Sequence, residues 1–397
     1  MAADLAAWRH DLHRIPELAN DLPQTSAYVQ ARLTEMGIPF RTLVDGSCVV
    51  ALVGKGARAA HEGAAEDDAC GTVVMLRADM DSLPVAEESG EPFASDNGCM
   101  HACGHDLHAT ALLGAARLLK EHEDELVALD GTVKLLFQPG EETFTGARAA
   151  LAEGLLESPA PEAAFAMHVN SQSPLGLVLY GNPALSGVYG FRITLAGKGG
   201  HGSSPEICVD PITAGVHVHL ALQELISREV SAMKEVALTI GKFCGGAAAN
   251  VIPDSCVLEG TMRGFDPALM DALKARIGEL VEGVAKTYRV GWEIEVLSDV
   301  PPLVLDDAMT AACRGYVGAA LPEAAFLPLF HAMASEDFAL ISERVPSAYF
   351  TVGAAAADTD EHFAQHHPRV RFDDAELPLG AAAYAAVALG YLADHKE

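Results

Sequence analysis

A block of strand, helix, strand, strand, helix, strand interrupts an otherwise regular alternation of strands and helices, and this most narrows the folds open to the 397-residue chain. Through the first half, strand-length apolar runs at Ser47 to Val53, Thr72 to Arg77, Thr132 to Phe137 and Ala163 to His168 alternate with helical stretches such as Leu107 to Glu121. That alternation predicts a mostly parallel sheet with helices on its faces. From about Asn182 the order changes. Strands are expected at Val188 to Leu195, Val236 to Lys242, Cys256 to Met262 and Trp292 to Leu297, with helices at Pro211 to Glu229 and Pro267 to Tyr288. This is the split unit of a ferredoxin-like domain. After Asp299-Val300-Pro301-Pro302 the first pattern resumes, with Ser335 to Glu343 helical, Ser347 to Val352 a strand and Ala375 to Ala393 a final helix. The expected fold class is therefore α/β, with a mixed, mostly parallel sheet domain flanked by helices (residues 1–181 and 300–397) and an inserted ferredoxin-like α+β domain (residues 182–299). The length agrees, since it exceeds what one hydrophobic core usually supports. Gly54 to Gly71, rich in Gly, Ala and charge, is read as an exposed turn with no chemical role, His61 included.

Charge excludes some partners. With 26 Lys and Arg against 55 Asp and Glu, the net charge of −29 repels phosphate backbones and anionic headgroups, so neither nucleic acid nor membrane is expected as a partner. The first twenty residues are broken by Asp4, Arg9, His10 and Asp11 and offer no apolar core of a secretory signal. Ala381 to Ala393 is the longest apolar run, read as too short to span a bilayer and as a buried helix instead. Eight cysteines without dense spacing suggest a reducing cytoplasm rather than a disulfide framework.

Four segments carry chemistry. In open α/β sheets ligands gather just past the carboxyl ends of the strands. Arg77-Ala78-Asp79-Met80-Asp81 and Gln138-Pro139-Gly140-Glu141-Glu142 leave strands, Met167-His168 ends one, and Cys103-Gly104-His105-Asp106 opens a helix with Asp106 as its cap or as a partner behind the ligands. Thiolate, imidazole and carboxylate together form the ligand set that zinc-like divalent ions accept, whereas calcium or magnesium would take oxygens. Neighbouring Glu141 and Glu142 point in different directions, so one can hold a metal while the other moves protons. The same pair also suits an exposed acidic start to a helix. Asp79 is expected to orient a ligand histidine, while Asp79 and Asp81 equally suit a turn cap. Cys99, His101, His108, His217, His219 and His331 are read as structural, and His10 and His13, on the first helix, as packing or capping against the loop with Glu17 rather than chelating a metal.

Together these stretches resemble a known family. His10-x-x-His13-x-x-Pro16-Glu17, Arg77 to Pro84, Met100 to Asp106, Gln138 to Glu142, Met167-His168-Val169, Gly197 to Gly202, Asn250 to Asp254, Gly260 to Arg263, Ser335 to Phe338 and His366-x-Pro368 run in order over nearly the whole chain. They are similar to the dinuclear metallopeptidase family that contains hippurate hydrolase, N-acyl-amino-acid amidohydrolases and plant auxin-conjugate amidohydrolases. The resemblance implies two divalent ions, zinc or manganese with cobalt or nickel as substitutes, held by Cys103, His105, Glu142, His168 and His366. It implies Glu141 as the general base that activates water for attack on the amide of an N-acyl amino acid or small peptide. His201 is implied to polarise the carbonyl, and Asn250 and Arg263 to hold the substrate. The inserted domain is implied to act as a lid and to form a homodimer. The spacing to Pro368 favours His366 over His367. A dipeptidase or carboxypeptidase, or a binding protein without activity, are the competing readings. Thr143-Phe144-Thr145 and Gly202-Ser203-Ser204-Pro205 depart from the family pattern.

Overall fold

Residues 1–61, 70–328 and 332–396 are described by the computed structural model. They form two units, Met1–Ala184 with Val304–Phe330 and Asp337–Glu397, and Leu185–Leu303 with His331–Glu336.

The first unit is built on an eight-stranded sheet in the order Phe40–Leu43, Cys48–Gly54, Gly131–Gln138, Thr72–Asp79, Ala163–Asn170, Ser347–Gly353, Leu177–Tyr180, Ala325–Pro328. Its four central strands, from Gly131–Gln138 to Ser347–Gly353, run parallel. Cys48–Gly54 and Leu177–Tyr180 join them antiparallel from either side. Gly131–Gln138 is buried at every position and Thr72–Asp79 at all but the first, as a sheet covered on both faces requires. The helices His105–Glu121 and Leu377–Asp394 lie against each other and against Thr72–Asp79. Leu107, Leu112, Leu377, Tyr384 and Val387 enter the same core as Val74, Leu76 and Phe165. Parallel pairing sets Asp79 opposite Gln138 and Asn170 opposite Gly353, so these strands deliver their last residues to one edge.

The second unit is a four-stranded antiparallel sheet in the order Gly291–Val300, Gly187–Ala196, Ser255–Gly264, Val236–Gly245. The first and third strands in sequence sit in the middle, which is the ferredoxin-like order. Tyr189, Phe191, Ile193 and Leu195 alternate inward to meet the helices Pro211–Glu224 and Pro267–Tyr288. Arg192 faces the other way and pairs with Glu259 and Glu295, so one face is apolar and the other charged. Asp210 and Asp266 start the two helices by accepting from the backbone of Ile212 and Leu269.

Three expectations need correction. Gly54 to Gly71 is not simply a turn. A helix occupies Lys55–His61, where Gly56 donates its N–H to Thr132 Oγ1 and so docks the segment on a neighbouring strand; positions 62–69 lie outside the described residues. The helix expected over Ser335 to Glu343 shrinks to Ala339–Ser342, because the Asp337 carboxylate is engaged by Arg77 and Gln138 before the helix begins. The C-terminal stretch Asp374–Asp394, with a mean hydropathy of 1.3, is long and apolar enough by composition to cross a membrane. In the structure its apolar face is buried in the core.

Candidate metal centre

Six side chains from four separate segments meet at the carboxyl edge of the parallel strands. Cys103, His105 and His168 place ligand atoms within 4.8 Å of one another, as do Cys103, Glu142 and His366, and His105, Glu141 and Glu142. Cys103 Sγ lies 3.4 Å from His168 Nε2 and 3.3 Å from His366 Nε2, and His366 Nε2 is 3.4 Å from Glu142 Oε1. Asp79 Oδ1 stands 3.8 Å from His105 Nε2.

Local backbone geometry explains how the sequence delivers these groups. Gly104 has φ +93°, and a Cβ there would come within 2.4 Å of Val169 Cγ2. Only glycine lets the turn carrying Cys103 pass so close to the strand end carrying His168. Gly140 has φ +66°, and a Cβ there would meet Asn20 Oδ1 at 2.0 Å, so the turn before Glu141 also requires glycine. The acidic pair does not open a helix. The next helix is Gly146–Ala152 with no acid in its first turn, and Glu141 is only 6 % exposed. His366 holds φ +69° while its N–H donates to Ala102 O, an uncommon conformation for a non-glycine residue.

Hydrogen bonds fix which ring nitrogen faces the cluster. His105 donates from Nδ1 to Asp81 O at 2.9 Å, and His168 from Nδ1 to Val169 O at 2.6 Å, so both Nε2 atoms turn inward to the cluster. His108 accepts the Val169 N–H at Nε2 and donates from Nδ1 to Asp79 Oδ1 at 2.6 Å, bracing the strand end beside His168. Below lies a buried network. Arg77 reaches Asp79 at 2.7 Å, Gln138 at 3.0 Å and Asp337 at 3.1 Å, and Asp337 also accepts the Ala147 N–H.

The electrostatics suit a cation. Burial, followed by the carboxylates of Glu142 and Glu141, pushes the Cys103 thiol well above its usual range. Burial, aided by the neighbouring His108, drives His168 well below an ordinary histidine and keeps it neutral. Burial opposes charge on His105, yet Asp79, Asp81 and Glu142 outweigh it and lift its pKa to about 10. For Asp79 burial is outweighed by His105 and Arg77, which hold the carboxyl well below its usual range. His105 Nε2 and Glu142 Oε1 are buried without a hydrogen-bond partner. Buried polar atoms seldom remain so. A thiol, imidazoles and carboxylates with two orphaned donor atoms fit one or two divalent ions, whose charge would stabilise the thiolate.

A family model described as peptidase family M20/M25/M40 matches residues 75–390. The chain belongs to this family. It is 36 % identical over 394 residues to the IAA-amino acid hydrolase ILR1-like 4 of Arabidopsis thaliana, covering 98 % of this chain and 86 % of that one. It is 35 % identical over 371 residues to the N-acetyl-L-cysteine deacetylase of Bacillus subtilis, covering 93 % and 83 %. Among solved structures, the Bacillus subtilis YXEP protein, described as a dinuclear metal binding peptidase from the M20 family, superposes with a TM-score of 0.79 at 29 % identity over 98 % of both chains. As an M20 member the protein is a hydrolase of the group that acts on amide bonds in small amide or peptide substrates.

Among the other sequence candidates, His201, Asn250 and Arg263 belong to the second unit. His201 is exposed on the short strand Gly200–His201, paired opposite Val251, with Ser203 Oγ 2.7 Å from its Nδ1. Asn250 is exposed next to it and accepts the Gly202 N–H on its carbonyl. Arg263 donates to Met333 O and Ser335 Oγ. Asp106 is not the helix cap. Gly104 occupies that position, and Asp106 lies in the first turn bound to Arg9 and His13. Sequence reasoning missed the bracing by His108 and the two-amide contact of Asp81. The only signal was their nearness in sequence to Asp79 and His105.

Proposed function

We propose that this M20 hydrolase is a metal-dependent amidohydrolase that cleaves the amide of N-acyl amino acids. The observation that carries the reading is the convergence of Cys103, His105, Glu142, His168 and His366, with Glu141 beside them. The names of two relatives, an IAA-amino acid hydrolase and an N-acetyl-L-cysteine deacetylase, both describe an amide between an acyl group and an amino acid, which favours this substrate class over dipeptides.

In this reading the five side chains hold two divalent ions, zinc or manganese, with cobalt or nickel compatible with the same donors. Bound there, the metal supplies Lewis acidity toward the amide carbonyl and toward water. Glu141 takes the proton of the attacking water and returns it to the departing nitrogen, so no serine or cysteine nucleophile is needed. Asp79 keeps His108 oriented through its buried carboxylate. We assign His201 to the carbonyl oxygen and Asn250 and Arg263 to the substrate, with the second unit acting as a lid. A homodimer through that unit is part of the proposal. Its support is that Val236–Gly245 is a largely exposed strand at the edge of its sheet. Residence in a reducing cytoplasm accords with eight free cysteines.

The test is a panel of N-acyl amino acids and dipeptides assayed on protein with measured metal content. Acyl-amino acids turned over at least tenfold better by kcat/KM support the reading. A preference for dipeptides assigns the site to a dipeptidase, and no turnover of either class by metal-loaded protein removes the proposal.

A further inference from the structure

We infer that Ser203 is a positioning residue for His201: it holds the imidazole in the tautomer that carries its proton on Nε2, the nitrogen left to meet the substrate's carbonyl oxygen. The inference rests on the assignment of His201 to that oxygen above. Two groups of one residue converge on a single ring nitrogen. The Ser203 N–H donates to His201 Nδ1 at 3.2 Å, and Ser203 Oγ lies 2.7 Å from the same atom. A backbone N–H can only donate, so Nδ1 presents its lone pair, and the hydroxyl then donates to it as well. A ring that accepts at Nδ1 keeps its proton at Nε2.

The turn that makes this contact is fixed on both sides. Gly200 and His201 pair with Ile252 and Val251. The Gly202 N–H donates to Asn250 O at 2.8 Å, and the Ser204 N–H closes the turn onto His201 O at 2.9 Å. A Cβ on Gly202 would lie 3.1 Å from the carbonyl carbon and oxygen of Asn250, so the residue between His201 and Ser203 runs close against the neighbouring chain. Upstream, Gly199 donates to Asp254 Oδ1 and Gly197 to Asp254 O. His201 is itself exposed, which opens Nε2 to an incoming oxygen. The segment Gly202-Ser203-Ser204-Pro205, which departs from the family pattern, thereby gains a task.

A developing oxyanion is stabilised by a donor already aimed at it. The opposite tautomer would turn a lone pair toward that oxygen and repel it. Ser203→Ala keeps the backbone N–H but removes the hydroxyl, so part of the ring population moves its proton to Nδ1. Ser203 is exposed, and its loss leaves the backbone hydrogen bonds of the turn in place.

The test compares wild type, Ser203→Ala, Ser203→Thr, His201→Ala and the double variant by nitrogen NMR of the histidine rings and by kinetics with an N-acyl amino acid on metal-loaded protein. The His201 signals, identified by their loss in His201→Ala, should show Nδ1 unprotonated and Nε2 protonated in wild type. In Ser203→Ala the Nδ1 signal should move toward the protonated form. Its kcat should fall at least threefold with KM within threefold, while Ser203→Thr, which keeps the hydroxyl, stays within twofold of wild type. In the His201→Ala background the same serine substitution should change kcat by less than twofold, because its effect passes through the ring. A protonated Nδ1 in wild type, a loss smaller than threefold in Ser203→Ala, a threonine variant as slow as the alanine one, or a loss of twofold or more without His201 would overturn the inference. Failure of the amidohydrolase reading looks different: metal-loaded wild type would leave every acyl-amino acid intact while the His201 nitrogen pattern stood.

Discussion

Lys134 illustrates how a buried charge is tolerated when backbone groups surround it. It is inaccessible to solvent and donates to the carbonyls of Leu155, Glu157 and Pro159. An ammonium has three donors, and here each meets an acceptor. Replacing Lys134 by Met keeps the stem but leaves three carbonyls without that donor. Stability should fall by about 2–4 kcal/mol, read as a lower urea midpoint. A loss under about 0.5 kcal/mol would mean that water satisfies the carbonyls instead. Individual residues were also where sequence reasoning was weakest. Asp106 looked like a cap because it follows Gly104 and His105, but its partners Arg9 and His13 lie more than ninety positions away. No local pattern encodes such a pairing. The same holds for His108, which a sequence offers only as one more buried histidine.

Strands and long helices were legible because their apolar periodicity is local. The helix Pro267–Tyr288 matches its expected span, and the central strands differ from expectation by a residue or two at their ends. The short strands Phe40–Leu43, Leu177–Tyr180 and Ala325–Pro328 were not anticipated, since four residues near a sheet margin carry too little pattern. The first helix, Ala2–His13, is joined to the rest of its unit by Leu5 and Leu12 in the core and by charge. His13 lies between Asp106 at 2.8 Å and Glu87 at 3.0 Å. Burial opposes its protonation, but those two carboxylates outweigh burial and raise its pKa from 6.5 to about 9. Stabilisation from a raised pKa is complete below 6.5 and is lost as pH rises through about 9. Glu87 has the opposite sign. Burial is outweighed by His13, and its pKa falls from 4.5 to about 2, so its contribution is present above 4.5 and lost as pH falls toward 2. Unfolding free energy of the wild type should therefore decline between pH 6.5 and 9 by an amount on the order of 2–3 kcal/mol that Gln at position 13 does not show. Parallel pH profiles for the two proteins in that interval would reject the assignment.

At the scale of the whole molecule, the fold class was legible from element order alone. The mixed, mostly parallel sheet appears as expected, and the interrupting block forms a four-stranded sheet in ferredoxin-like order. The residues picked out for the metal lie together in the first unit although Cys103 and His366 are 263 positions apart. Their convergence follows from parallel strands ending at one edge, whereas the hydrogen bonds that aim them could not be read in advance. Because the cluster ties four segments of one unit, cation binding should couple to folding. Stripping the ions with a chelator should lower the thermal midpoint and abolish turnover, and added zinc, manganese or cobalt should restore both. At a free-metal concentration a thousandfold above Kd, the linkage is about 4 kcal/mol. An unchanged midpoint after verified metal removal would show that the cluster is not a metal centre.

The most direct test of the central claim is the turnover number of the Glu141→Gln variant with its metal content counted in the same sample. Metal occupancy equal to wild type, with kcat reduced by about 10²–10⁴ and KM nearly unchanged, is the expected result for loss of the proton-transferring group. Equal occupancy with kcat within a factor of three of wild type would contradict it.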